Sequence, residues 1–197
     1  MPAMSRIESA FCRSAPWRVA TRRLVLPWAL QGIEPVGEVL EIGAGSGAMA
    51  AEVLLAQPDI RITVTDYDDA MVAAAAQRLA PFGARATARQ ADATALPFGD
   101  NTFDTVLTFI MLHHTVHWEQ ALAEAVRVLA PGGTLIGYDL LSLWPTRTLH
   151  RLEGAPHRLI RRGELQPVLR QLPLNALRLR QHRLLVRFTA TKQASPS

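Results

Sequence analysis

Through the middle of the chain, short apolar runs alternate with longer stretches that carry helical spacing. "GEVLEIG" is a brief apolar run that ends at glycine, and "GAMAAEVLLAQ" after it reads as a helix halted near Pro58. "IRITVTD" is rich in β-branched residues and reads as a second strand. Asp69 is the expected N-cap of "AMVAAAAQRLA", whose alanines favour helix, and Pro81 and Gly83 close it. "RATARQAD" reads as a third strand and "FDTVLTFI" as a fourth. "WEQALAEAVRVLA" sets Ala121, Leu122, Ala125 and Leu129 on one helical face. "PGG" then breaks the chain before a fifth strand, "TLIGYDL".

Strand and helix in turn imply crossover connections, and hence an α/β fold with a parallel sheet covered on both faces. The last third changes pattern. "ELQPVLRQL" predicts a helix in which Pro167 either kinks the axis or occupies the first turn. "ALRLRQHRLLVRFTATK" switches to a period of two, with Leu184, Val186, Phe188 and Ala190 on one face and Leu185, Arg187, Thr189 and Thr191 on the other. Two strands in succession with no helix between them predict an antiparallel pair. The expected organisation is one domain, 1–197: an N-terminal helical cap or lid over 1–34, a ligand-binding core over 35–141, and a connecting segment, helix and terminal strand pair over 142–192. In the cap, "SAPWRVATRRLVLPWAL" could begin a helix at Ser14.

Composition adjusts this picture in few places. With 197 residues, 49% of them hydrophobic, the chain has enough apolar material for a core of its own. One cysteine, Cys12, excludes an internal disulfide framework and a cysteine-rich zinc site, and no metal site is expected. No apolar run reaches the ~18 residues of a membrane span, and the first residues lack the layout of a secretory signal, so a cytoplasmic setting is expected. Charge is uneven. The net charge is +4, yet from Leu143 onward 11 basic residues face only Glu153 and Glu164. Such a segment could meet an anionic substrate, a membrane surface or nucleic acid.

The chemistry concentrates in "VLEIGAGSGAMA", Val39 to Ala50. Glycine at Gly43, Gly45 and Gly47 permits φ > 0 and lets backbone approach a ligand closely. Coming after a strand and before a helix, the bend sits where open α/β sheets bind ligands. Gly43, Gly45 and Ala48, with Asp66 downstream, also satisfy the dinucleotide pattern, so a nicotinamide dehydrogenase stays open on spacing alone.

Four stretches in order, "VLEIGAGSG", "VTDYDDAMVAAAAQRL", "ADATALPFGDNTFDTVLTFIMLHH" and "EAVRVLAPGGTLIGYDLL", resemble the class I S-adenosylmethionine-dependent methyltransferases, in particular their small-molecule branch. The resemblance covers roughly Val39 to Leu141. It implies a Rossmann-like, seven-stranded, mostly parallel sheet with helices on both faces and an antiparallel C-terminal hairpin. It implies that Gly43, Ala44, Gly45 and Gly47 underlie the methionine part of S-adenosyl-L-methionine, with Glu41 at the floor near the amino group. Asp66 would accept from the ribose hydroxyls, Tyr67 would flank the adenine, Asp92 with Ala93 would meet the adenine amino group, and backbone at Thr108 would hold the methionine amine. The cofactor is cationic and carries no phosphate, so acids around the bend suit it better than a dinucleotide.

Methyl transfer from a sulfonium needs alignment, exclusion of water and an acceptor for one proton. "LHHTVHW" offers His113 and His114 as catalytic candidates, with His117 nearer the substrate. Trp17, Arg18 and Trp28 could cover an apolar acceptor, and Arg147, Arg151, Arg158, Arg161 and Arg162 could face an anionic one. The absence of an Asn/Asp-Pro-Pro-Tyr/Phe stretch and of a Pro-Cys loop argues against the usual adenine, glutamine and cytosine methylations. A small or lipid-like acceptor is expected. An RNA-directed enzyme, or a non-catalytic binding protein that keeps the fold, remains as an alternative.

Overall fold

A computed structural model describes residues 25–30, 32–142 and 158–194. In chain order its elements are α1 (Leu26–Leu30), β1 (Glu38–Ile42), α2 (Ala48–Ala56), β2 (Arg61–Asp66), α3 (Asp69–Leu79), β3 (Ala86–Gln90), β4 (Phe103–Phe109), α4 (Trp118–Val128), β5 (Leu129–Leu140), α5 (Leu165–Gln171), β6 (Leu174–Gln181) and β7 (Leu185–Lys192). The strands form one sheet in the order β3-β2-β1-β4-β5-β7-β6. β1 to β5 are parallel, and β7 runs antiparallel to both β5 and β6.

Apolar residues fill both faces. Leu40, Val106 and Leu135 point to the side covered by α4 and α5, where they meet Leu122, Val126 and Leu169. Val39, Ile62, Val64 and Leu107 point the other way, toward Leu26 of α1, Val53 of α2 and Ala75 and Leu79 of α3. β7 lies inside the sheet, so Val186 and Phe188 are fully buried. Its neighbour β6 is an edge strand, with the exposed Arg178 and Arg180 alternating with the partly buried Leu177 and Leu179.

Four local details differ from, or sharpen, the sequence reading. The N-cap of α3 is Asp68, whose carboxylate accepts from the Ala70 amide at 2.8 Å, and Asp69 is the first helical residue instead. "PGG" interrupts β5 without ending it. Leu129 pairs with Phe103 and Thr134 with Thr105, so Pro131 and the two glycines form a bulge inside one long strand. Pro167 sits in the first turn of α5, where its missing N–H costs no helical bond. Leu184 falls in the turn before β7 and is 46% exposed, so it leaves the buried face that its spacing assigned to it. Of the cap, only its end is described: α1 packs Leu26 and Ala29 into the core. Trp17, Arg18, Arg147 and Arg151 lie outside the described residues. No helix among the described residues is long and apolar enough to cross a membrane.

β1 is flanked by β2 on one side and β4 on the other. The chain therefore leaves β1 in one direction and comes back past it in the other. The connections at the carboxyl ends diverge there and leave a crevice, which is where open α/β sheets place their ligands.

Candidate active site

Three strand ends converge on this crevice. At the end of β1, Gly43, Gly45 and Gly47 all have positive φ (68°, 54° and 71°), a backbone that L side chains rarely adopt. Their tasks differ. A Cβ on Gly43 would lie 2.5 Å from the Met111 Cβ, so this glycine admits the segment after β4. A Cβ on Gly47 would meet Ala75 at 3.2 Å, so that glycine lets α2 and α3 pack closely. Two of the three are thus demanded by packing as well as by φ. Gly45 ties the bend to β2 instead: its amide donates to Asp66 Oδ2 at 2.8 Å. The Ala44 amide adds a bond to the Thr65 carbonyl at 2.9 Å.

Asp66 ends β2. Its Oδ1 accepts from the Asp68 amide at 3.0 Å, so one carboxylate organises the turns on both sides of it. Burial pushes its pKa up, against the pull of those amide donors. Asp92 is close by, because β3 pairs Gln90 with Asp66 and the Ala91 amide donates to the Asp66 carbonyl at 3.0 Å. Asp92 Oδ1 accepts from both the amide and the hydroxyl of Thr94, at 2.8 and 2.7 Å. Burial would raise the Asp92 pKa, but these donors outweigh it and hold the carboxyl below its usual value. Ala93 beside it is buried, and Tyr67 is 42% exposed at the rim.

Glu41 is the most perturbed group of the set. Only 2% exposed, it keeps Oε2 buried with no hydrogen-bond partner. Desolvation drives its pKa from 4.5 to about 8, the Ala50 amide opposes the shift, and Asp66 adds to it.

The third strand end is β4. Thr108 pairs with Ile42 of β1 and Gly137 of β5, and its hydroxyl is buried without a partner. Two residues on, Ile110 has φ 52°, a costly conformation for a β-branched residue. Its amide donates to the Tyr138 carbonyl at 2.9 Å, which fixes the turn and delivers Met111 onto Gly43. The short turn Leu112–His114 follows. His113 is 1% exposed, and its Nδ1 lies 2.5 Å from Asp139 Oδ1. Asp139 is fully buried in β5 and also accepts from the Leu112 amide at 2.7 Å and the Leu140 amide at 2.6 Å. One carboxylate thus pins the whole turn. The ring of half-buried His114 packs on His113 at 4.0 Å between centroids. His117 is exposed at the start of α4.

The structure therefore brings Glu41, the glycine bend, Asp66, Asp92 and Thr108 to one edge of the sheet, with the histidines beside them. Trp28 stands over the β5–β7 half of that edge, edge-on to Tyr138 at 5.3 Å, with the Arg187 guanidinium 5.2 Å from its ring. Sequence reasoning missed Asp139 and the Ile110 turn. A lone acid inside an apolar strand was the available signal for the first, and nothing in the residue type signals the second. No cluster of histidine, cysteine or acid side chains suited to a metal ion occurs among the described residues.

Residues 39–133 match the family model described as a methyltransferase domain. Over that span, just under half of its length, the chain is similar to methyltransferases. It is 34% identical over 117 residues to the ubiquinone/menaquinone biosynthesis C-methyltransferase UbiE of Cupriavidus taiwanensis, over 59% of this chain and 48% of the relative. To the protein of the same name from Ectopseudomonas mendocina it is 36% identical over 110 residues, 54% of this chain and 43% of the relative. The chain thus spans about half the length of the curated relatives it matches. Among solved structures, YcgJ of Bacillus subtilis superposes with a TM-score of 0.73 at 18% identity, over 90% of this chain and all of that one, a likeness of fold. The Rossmann-like, mostly parallel sheet with an antiparallel C-terminal pair is the expected one.

Proposed function

We propose that this chain is a class I methyltransferase that binds S-adenosyl-L-methionine at the β1–β2–β4 edge and methylates a small-molecule or lipid-like acceptor, all within one domain. The observation that carries the reading is the meeting of Gly45, Asp66 and Asp92 at one edge, above a buried Glu41 with an unpartnered oxygen. A set of carboxyls to which no basic side chain among the described residues is bonded suits a ligand with cationic groups and a diol, and suits a pyrophosphate poorly. The residues fit the group: Asp66 for the ribose hydroxyls, Tyr67 and Asp92 with Ala93 for the adenine, and Glu41, the Gly43–Gly47 bend and backbone at Thr108 for the methionine end. The names of the curated relatives, C-methyltransferases of ubiquinone and menaquinone biosynthesis, support a lipid-like acceptor.

When bound, the cofactor supplies a methyl group already activated on a sulfonium. The chain's own task is to align an acceptor, exclude water and take up one proton. His114 is the better placed of the two histidines for that proton, because His113 is buried behind it against Asp139. Trp28, with Trp17 and Arg18 of the preceding segment, would cover the acceptor, and His117 would stand at the mouth.

Calorimetric titration tests the cofactor assignment. Wild type should bind S-adenosylmethionine and its demethylated product, and Asp66→Asn should bind both at least tenfold more weakly, since charge-assisted hydrogen bonds contribute about 1.5–3 kcal/mol each. Equal affinity in the two proteins would remove Asp66 from the site, and no binding by wild type would remove the proposal.

A further inference from the structure

We propose that the β6–β7 hairpin and the loop before α5 form a docking surface for an anionic lipid bilayer. The inference uses the lipid-like acceptor of the proposed function only to explain why docking is useful, and its evidence is separate. β7 is antiparallel to β5, and Leu185 pairs with Leu140. The turn between β6 and β7 therefore lies at the carboxyl edge of the sheet, the edge that also holds the glycine bend.

Arg178 and Arg180 alternate outward along β6, and Arg183 is exposed at the turn. Arg161 and Arg162 are exposed beside it. The Ser142 amide binds the Ile160 carbonyl at 2.8 Å, and Arg162 Nη2 donates to the His182 carbonyl at 3.2 Å. None of these five arginines has an ion-pair partner among the described residues. The only acid between residues 158 and 194 is Glu164, which is engaged by Arg158 Nη2 and the Arg161 amide, each at 2.8 Å. Among the described residues, the charge on this surface is uncompensated.

Its extent argues against one small anion. Arg178 lies about 10 Å of extended chain from the end of β6 at Gln181, and Arg183 lies in the turn beyond it. A small acceptor cannot satisfy both ends, whereas a charged plane can. The choice between lipid and RNA rests on what is exposed among the arginines. RNA-binding surfaces interleave cations with aromatic rings that stack on bases. Among the described residues on the β4–β7 half of this edge, the large apolar side chains that are exposed are aliphatic, Leu184 at 46% and Val116 at 42%, while the nearest ring, Trp28, is half-buried against Tyr138 and Arg187. Aliphatic side chains among cations suit the headgroup–acyl boundary.

Sedimentation of the full chain with vesicles tests this. It should bind mixed phosphatidylglycerol–phosphatidylcholine vesicles, bind phosphatidylcholine alone far more weakly, and release as salt is raised. Each arginine removed should weaken partitioning about fivefold, so Arg180→Gln with Arg183→Gln should lose about 25-fold, and Leu184→Asp should weaken binding as well. The variants should keep wild-type affinity for S-adenosylmethionine, which shows them folded. Equal binding to both vesicle types, unchanged binding by the double variant, or displacement of the protein from vesicles by RNA at lower concentration than by the anionic lipid would overturn the proposal. Failure of wild type to bind cofactor would count against the proposed function and leave the vesicle result standing.

Discussion

Replacing Glu41 by glutamine should abolish one particular dependence of stability on pH. Glu41 is 2% exposed, and desolvation, with Asp66 adding to it, raises its pKa from 4.5 to about 8. The charged group that acts on it is Asp66, at the end of β2. A carboxyl raised in the folded state binds its proton more tightly there than in the unfolded chain. Below pH 4.5 both states are protonated and the full stability is present. Between 4.5 and about 8 the unfolded chain has released the proton and the folded one has not, so stability falls by ~1.4 kcal/mol per pH unit. Above that range the loss levels off at about 5 kcal/mol.

Glutamine keeps the shape and cannot ionise. The stability of Glu41→Gln minus that of wild type should therefore be below ~1 kcal/mol near pH 5 and about 3 kcal/mol near pH 7, in favour of the variant. Urea unfolding of both proteins across this range reads the difference directly, and slopes from every other group cancel. A gap that stays constant with pH would show that Glu41 is ionised in the folded protein and that burial does not govern it.

Two further substitutions probe the packing around the site. Gly43→Ala places a methyl 2.5 Å from the Met111 Cβ at a φ of 68°, and should cost about 2–4 kcal/mol in chemical unfolding; a loss under ~0.5 kcal/mol would mean that the segment after β4 is not held against the bend. Asp139→Asn leaves the Leu112 amide an acceptor but removes the charge beside His113, and should destabilise by about 3 kcal/mol while leaving cofactor affinity within a few-fold. Turnover should fall as well, since the turn carrying His114 loosens, and unchanged stability and turnover would show that the buried pair positions nothing.

The alternation of strand and helix was legible because it rests on periodicity, which local sequence carries in full. Glu41 and Asp66 were legible because each stands at or near the end of an apolar or β-branched run, whereas Asp92 follows a polar strand and was reached only through the resemblance. What each of them does was harder to read. Asp66 holds Gly45 and Asp68 through bonds to backbone amides, which leave no trace in residue types. Gly43 and Gly47 looked like openings for a ligand, yet each also answers to a neighbour, Met111 or Ala75, brought in from elsewhere in the chain. Asp139 was passed over because one acid in "TLIGYDL" looks like an outward-facing residue of a strand, and only the fold sets it opposite His113. The left-handed turn at Ile110 runs against its own side chain, so tertiary contacts alone impose it. "PGG" misled for the opposite reason: turn residues that usually end a strand here only bulge from it.

The place of β7 has a consequence for how the chain can be shortened. In the order β5-β7-β6, the last strand along the sequence is wedged between two that precede it, and Val186 and Phe188 complete the layer beneath α4 and α5. A polypeptide cut off before Leu185 would therefore keep every group of the proposed cofactor site and still have a raw flank on β5, with β6 stranded from the sheet. Such fragments should behave as sticky, half-zipped species. For this fold, minimising the protein from its C-terminal end removes the keystone before it removes any ornament.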